Sequence, residues 1–357
     1  MMIVVEHIIR GAPSTEQITT VGIDLAKSIF QVHGIDQAGQ IIVQKAFRRR
    51  DLVAFIGKLR PCLIGIEACS TGHHWARVLA QFGHQVRLIP PAYVKPYVRR
   101  QKNDAADAAA ICEAVTRPSM RFVPVKSEEQ QAALMLHRAR SLLISQRTAL
   151  ICAIRSHMAE LGLTAPRAVR NLRALLEVLA DSTDESLPPL ARTAITPLAG
   201  QLASTESRVA ELDRQLLAWH RSSTVSQRLA TIPGVGPVTA SALAASVTEP
   251  AMFASGREFS AFLGLVPRQN SSGGKTKLGR VSKMGDRYLR TLLVAGATAV
   301  LSHAKTRRGS LDTWAKALLE KKKPSKLVAL ALANKMARIA WALMIRGETF
   351  NTSVKPA

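Results

Sequence analysis

A chain of 357 residues with 47% hydrophobic content is long enough for two or three packed units, because single cores stop growing near about 250–300 residues. Its 49 lysines and arginines stand against 25 acidic residues, a formal charge of +24, and a field this positive selects a nucleic-acid phosphate backbone as partner. No uninterrupted apolar run reaches the ~20 residues of a spanning helix, which argues against a membrane protein, and 4% aromatic content disfavours extensive base stacking along a single-strand groove.

The opening MMIVVEHIIR is apolar but short, lacks a basic lead and carries Glu6 and His7, unlike a secretory signal. Residues 1–17 are expected to form a tail. Cys62, Cys69, Cys112 and Cys152 form no CxxC pair and are too few to staple the chain, so they read as buried small apolar residues in a reducing compartment. A cytoplasmic location follows. Three β-rich runs, TTVGIDLA, IFQVHGID and GQIIVQKAF, predict an antiparallel meander. A helix over 51–59, a buried strand CLIGIEA, a helix over 71–82, a strand HQVRLIP and helices over 92–116 come next. Strands alternating with helices predict parallel pairing, so residues 18–124 are expected to be an α/β domain of RNase H-like arrangement.

After Pro124 the β signal vanishes. Ser127 and Gln130 have capping-box spacing before a long helix in which Leu136, Leu143 and Leu150 recur every seven residues. A second helix carries Leu202, Val209, Leu212, Leu216 and Trp219, with Thr205 filling one step. Residues 125–224 are therefore expected to be an all-α region, either a hairpin within the chain or a dimer-forming coiled coil, which periodicity does not separate. Residues 163–189, with Pro166, Pro188 and Pro189, read as the linker between the two helices. A mainly helical domain is expected over 225–350, with helical runs near 285–303 and 326–345, and a tail over 351–357.

The chemistry-bearing residues begin with Asp24, ending the first strand, and Glu67, ending the central one. Asp104 and Asp107 lie three apart at a helix start, hence on one face. Four converging carboxylates suit two Mg²⁺ ions, whose hard character selects oxygen ligands and whose pairing favours in-line phosphoryl displacement. A lone DxxD would merely favour a helix N-terminus, but here it follows an Asp strand and a Glu strand in order. His73 and His74 follow Glu67 closely; without a matching metal spacing they read as polar surface or phosphate contacts. Tyr93, Lys95, Tyr97, Arg99, Arg100 and Lys102 make a basic approach to the carboxylates, read as backbone contacts or a solvated charged face.

Farther on, IPGVGPVTA places Gly234 and Gly236 in a turn between helical segments, as in a helix-hairpin-helix whose backbone N–H groups grip phosphate. GLVPRQNSSGGKTKLGRVSKMGDRYLR is strongly basic and encloses a Ser-Ser-Gly-Gly turn. A serine amid phosphate-attracting charge suits a nucleophile, but by itself such a serine is more often part of an ordinary flexible loop.

Taken in order, GIDLAK, GIEACSTG, KNDAADA, IPGVGPVTA and GLVPRQNSSGGK resemble the DEDD transposases of the bacterial insertion-sequence family numbered one hundred and ten, and most its longer subgroup, numbered eleven hundred and eleven. The resemblance covers about residues 18–350. It implies a RuvC-like domain that binds Mg²⁺ through Asp24, Glu67, Asp104 and Asp107, a coiled-coil dimerisation region, and a C-terminal domain with a catalytic serine. Within SSGG the family's Ser-Gly falls on Ser272, with Ser271 beside it. The resemblance also implies a guide RNA encoded beside the gene, which pairs with donor and target DNA in a tetrameric complex.

The expected chemistry is attack of Ser272 on a DNA phosphorus to form a phosphoserine link, with Arg268, Lys275, Lys277, Arg280 and Lys283 holding nearby phosphates. One rival is a Holliday-junction resolvase or related nuclease that uses water. Another is a non-catalytic DNA-binding protein. A metal requirement for cleavage separates the last from the others, and a covalent adduct separates the first two.

Overall fold

The computed structural model describes residues 17–98, 103–304 and 309–351, which fall into two compact units divided between Ser127 and Glu128. In the first, β1 (Thr20–Leu25), β2 (Ile29–Ile35), β3 (Ile41–Arg48), β4 (Leu63–Glu67) and β5 (Gln85–Ile89) form one sheet in the order β3-β2-β1-β4-β5. The first three strands pair antiparallel, while β1–β4 and β4–β5 pair parallel. Parallel neighbours need crossovers, supplied by α1 (Arg49–Ile56) and α2 (Gly72–Ala80). Alternation along the strands sends Val21, Ile23, Phe30, Val32, Ile64 and Ile66 to one face, where Leu52, Ile56, Trp75 and Leu79 close the core. Phe30 meets Trp75 edge-on at 5.0 Å between ring centres.

The other face receives a helix at unusually close range. The helical stretch expected over 92–116 is broken, because Pro96 cannot continue a helix. What forms is α3 (Pro91–Val94), a short 3-10 turn (Lys95–Tyr97), and α4 (Asp104–Val115). Gly22 of β1 and Gly65 of β4 are register partners. A Cβ at Gly22 would lie 2.3 Å from the Ala108 carbonyl oxygen and 2.4 Å from the Cys112 nitrogen, and one at Gly65 would lie 2.8 Å from Val115 Cβ. Two bare backbones side by side thus make the seat on which α4 buries Ala108, Ile111, Cys112 and Val115.

Cys62 and Cys112 are buried, but Cys69 and Cys152 are exposed, which corrects the expectation for those two. The buried thiols are pushed up by desolvation, to about 11 for Cys62 and about 12 for Cys112. Thiols this poorly ionised are inert.

In the second unit, α5 (Glu128–Glu160) pairs within the chain with a later long helix. Between them the expected linker holds α6 (Leu172–Ala180), whose Leu172, Leu175 and Leu179 cover one end of the pair. The flanking prolines bracket this helix instead of breaking the segment. The second long helix is α7 (Pro189–Ser222), which buries Ile195, Leu202, Thr205, Val209 and Leu216. On α5 the expected heptad Leu136, Leu143 and Leu150 is only half-buried, and the buried positions are Ala133, His137, Ile151, Ile154 and Met158. The physical reason is that further helices cover α5 only near its two ends.

Next come α8 (Thr224–Leu229), α9 (Pro237–Ser246), α10 (Gly256–Phe262), the hairpin strands β6 (Pro267–Gln269) and β7 (Leu278–Val281), α11 (Arg287–His303), α12 (Ser310–Glu320) and α13 (Ser325–Arg346). Both α5 and α7 pack on α9, so the helical region and the C-terminal region share one unit. By length and composition α13 is apolar enough to cross a membrane, but its Val328, Leu332, Met336 and Ala340 are core residues here.

A buried polar chain ties these helices together. His137, 1% exposed, has Nε2 3.1 Å from Ser241 Oγ, whose own proton goes to the Pro237 carbonyl at 2.7 Å, so Nε2 is the donor. Its Nδ1 therefore accepts from the Tyr288 hydroxyl at 3.1 Å. Arg140 of α5 pairs in turn with Asp213 of α7. Burial, reinforced by the Arg140 charge, lowers His137 from 6.5 to about 4. Because the folded value is depressed, the unfolded chain takes up the proton first as pH falls. The contribution is whole above about pH 6.5 and erodes by roughly 3 kcal/mol down to pH 4. His33, also lowered by burial, acts in the same direction. The urea midpoint should therefore drop across that window, and His137→Gln should flatten the drop; an unchanged slope would place His137 outside the linkage.

Candidate metal centre and serine hairpin

Asp24 stands two residues beyond Gly22 on β1, hence on the same sheet face as the α4 seat. Asp104 is the first residue of α4 and Asp107 lies one turn on. Asn103 fixes that end of the helix, its side-chain oxygen accepting from the Ala106 N–H at 2.7 Å. The seat on Gly22 therefore carries both helix aspartates to Asp24, and one carboxylate oxygen from each of the three lies within 4.8 Å of the others. Asp24 and Asp107 are half-buried and Asp104 is exposed.

Two like charges at 4.8 Å repel by about 1 kcal/mol in water and about 3–4 kcal/mol at an effective dielectric of 20. The positive end of α4 offsets part of this. A divalent cation would offset far more, and three hard oxygen donors fit Mg²⁺. Glu67 ends β4, beside β1, but lies outside the 4.8 Å group. The histidines that follow it serve elsewhere: His73 Nδ1 accepts from the Lys126 N–H at 3.2 Å, and His74 sets its ring edge-on to Trp75 at 5.5 Å. Lys95 and Tyr97 lie on the 3-10 turn. Arg99, Arg100 and Lys102 lie outside the described residues.

The paired glycines were missed as site residues. The sequence carries them as VGI and IGI in two strands, but that they face each other is set by the strand register. Gly22→Ala is expected to destabilise the first unit by about 1–3 kcal/mol, since its new Cβ meets helix backbone that must move. It should also weaken Mg²⁺ binding, because α4 carries two of the three aspartates. Urea melts and calorimetric Mg²⁺ titration check this; a destabilised protein with unchanged Mg²⁺ affinity would unlink seat from centre.

The segment expected to be a basic loop is a β-hairpin. Its tip is a two-residue turn in which Gly273 and Gly274 have φ of +54° and +74° and the Ser272 carbonyl accepts from the Lys275 N–H at 3.0 Å. Positive φ at both positions is the type I′ pattern that matches strand twist and favours glycine. The two serines differ in employment. Ser271 Oγ accepts from the Lys277 N–H at 3.2 Å and from Gln269 Nε2 at 3.1 Å, so it stitches the hairpin. Ser272 is exposed at the tip, and its hydroxyl makes no hydrogen bond among the described residues. Arg268, Lys275, Lys277, Arg280 and Lys283 are all exposed around it.

Gly234 and Gly236 have different reasons to be glycine. Gly234, at φ +84°, packs so closely on α11 that a Cβ at Gly296 would lie 2.0 Å from its carbonyl oxygen. Gly236 is exposed in the N-cap position of α9, which has no side-chain cap.

Comparison with known proteins agrees across both units. A family model described as "Transposase", of the DEDD type, matches residues 21–162, and one described as "Transposase IS116/IS110/IS902 family" matches residues 226–311. A putative transposase of Sinorhizobium fredii is 48% identical over 97% of this chain and 89% of its own length. The transposase for insertion sequence element IS1111A of Coxiella burnetii is 40% identical over 94% of this chain and 92% of its own. A pilin gene-inverting protein of Moraxella bovis is 25% identical over 81% of this chain and 82% of its own.

Proposed function

The chain belongs to the IS110 family of DEDD transposases, enzymes that cleave and transfer DNA, and from that premise we propose that it cuts and rejoins donor and target DNA through a covalent serine intermediate. The observation that carries this reading is the unengaged Ser272 hydroxyl at the tip of a basic hairpin, in a chain that also gathers three aspartates. A nuclease that activates water needs the aspartates alone.

Asp24, Asp104 and Asp107 would hold the cation, and Glu67 would complete a set of four for a second one. Mg²⁺ held by these carboxylates would polarise a phosphodiester and offset the charge that gathers on it. Ser272 Oγ attacks the phosphorus: the Oγ–P bond forms, the bond from phosphorus to one sugar oxygen breaks, the serine loses its proton and the sugar leaves as a hydroxyl. A second DNA end reverses these changes. The ester is exchanged, not hydrolysed, so no nucleotide cofactor is needed. Arg268, Lys275, Lys277, Arg280 and Lys283 neutralise flanking phosphates, and Gly236 at the start of α9 offers a helix-hairpin-helix-like backbone contact. The Moraxella relative, named for inverting a gene, supports rejoining over simple cutting.

A guide RNA that pairs with both DNAs, and assembly as a dimer and then a tetramer in a bacterial cytoplasm, belong to the same reading. The half-buried Leu136 and Leu143 with exposed Leu142 on α5 suit contact with a second copy. The test is to purify the protein, sequence the RNA that accompanies it, and supply that RNA with donor and target DNA in Mg²⁺. Recombinant joints are the expected product. Cut ends without joints would favour a resolvase-like nuclease, and binding without cutting a non-catalytic DNA-binding protein.

A further inference from the structure

Two of the chain's three tyrosines line one open cleft. Tyr93 and Tyr97, with Pro96, Ser119, Met120 and Arg121, border a surface hollow of about 360 Å³ in the first unit. That volume lies at the lower end of small-ligand sites, too small for a duplex and suited to one nucleotide. In a chain with 4% aromatic content, paired rings at one opening are a local departure from the rest of the surface.

The rings are placed for use. Tyr93 lies on α3 and Tyr97 on the 3-10 turn that follows it, and both line the same opening. Tyr93 is 44% exposed, Tyr97 is half-buried, and neither stacks on another aromatic ring among the described residues. The Arg117 guanidinium, which also pairs with Glu113, lies 5.9 Å from the Tyr97 ring centre. An arginine beside a ring and a second arginine in the lining give the cleft both a stacking surface and a positive rim. Arg117 follows the C-terminal end of α4, whose other end bears Asp104. The twelve-residue helix is about 18 Å long, so Arg117, beside the Tyr97 ring, stands roughly that far along it from Asp104.

We propose that this cleft receives one unpaired nucleobase of a strand that is opened beside the aspartate cluster, with its base stacked on Tyr97 and Tyr93 and its phosphate at the arginines. A base inside a duplex hides its faces and would not fit. The cleft thereby marks where duplex gives way to single strand. This deepens the transposase reading and rests on it only for the strand's being opened.

The test uses the full chain. Oligonucleotides carry 2-aminopurine or 5-iodouracil in a single-stranded gap or within intact duplex, as DNA and as RNA. Gapped probes should bind more tightly than duplex, with 2-aminopurine quenched on stacking and the iodouracil crosslink mapping to Tyr93 or Tyr97 by peptide mass. Tyr97→Leu should weaken gapped binding roughly 5- to 100-fold while leaving duplex binding unchanged, and Tyr97→Phe, which keeps the ring, should restore it. Crosslinking by the DNA probe assigns the base to DNA, and by the RNA probe alone to RNA. Equal losses on gapped and duplex probes, or crosslinks outside the cleft, would overturn the inference. Mg²⁺-dependent cleavage by the wild type is scored alongside: if it persists while the cleft variants bind normally, the cleft fails and the transposase reading stands. If the crosslink forms and cleavage never does, the reverse holds.

Discussion

Asp104→Asn and Asp107→Asn should each abolish Mg²⁺-dependent strand cleavage while leaving the urea midpoint near that of the wild type. Each removes one anion from a group of three whose oxygens lie within 4.8 Å, so the protein itself loses like-charge repulsion and keeps an isosteric side chain. Neither residue is deeply buried, so neither substitution opens a void. On the proposed function, what is lost is a cation ligand. Partners that merely orient a ligand are worth about 10–100-fold in metal affinity or activity, and a direct ligand should exceed that. Calorimetry should show the loss as weakened Mg²⁺ binding, and a cleavage assay as a fall beyond ~100-fold. Glu67→Gln should cost less Mg²⁺ affinity than either, since Glu67 stands outside the group of three. Wild-type rates in both aspartate variants would sink the metal centre.

Ser272→Ala should eliminate the covalent protein–DNA adduct, and Ser271→Ala should retain it. Trapped on a nicked suicide substrate, the wild type should migrate as a conjugate whose modified peptide contains Ser272. The two hydroxyls differ in what holds them: Ser271 accepts two hydrogen bonds that close the hairpin, while Ser272 faces solvent beyond the last strand pair. Loss of Ser271 should therefore loosen the hairpin by about 1 kcal/mol and slow the reaction without changing the linked residue. The aspartate variants should also lose the adduct yet still bind DNA through the unchanged basic surface. An adduct that survives Ser272→Ala and disappears with Ser271→Ala would shift the nucleophile by one position. Cleavage without adduct in the double variant would favour water.

The sheet was legible because its signals are periodic. Three alternating runs and the two later runs CLIGIEA and HQVRLIP predicted five strands, and the turn residues between the first three predicted which pairs lie antiparallel. Two of the four carboxylates were legible as neighbours for a local reason, since three-residue spacing puts Asp104 and Asp107 on one face. What brings that face to Asp24 was not legible. It depends on the register of Gly22 with Gly65, which is set by pairing across some forty residues. Short elements were lost for lack of periods: α6 hides between prolines, and the hairpin strands β6 and β7 have three and four residues. The employment of Ser271 against the freedom of Ser272 is equally a matter of geometry.

The hairpin has one further property. From Pro267 to Lys283 it contains no aspartate, glutamate or histidine, so the stalk that carries the nucleophile has no general base of its own. On the proposed mechanism, Ser272 would then stay unreactive toward any phosphate its lysines attract until the aspartates act on that same phosphate. Once esterified, it would find no base within the hairpin itself to draw a water molecule against the bond. If the serine mechanism holds, the arrangement would work as an interlock: stray DNA that touches the stalk would not be nicked, and a strand end once captured would be held until another end arrives to claim it.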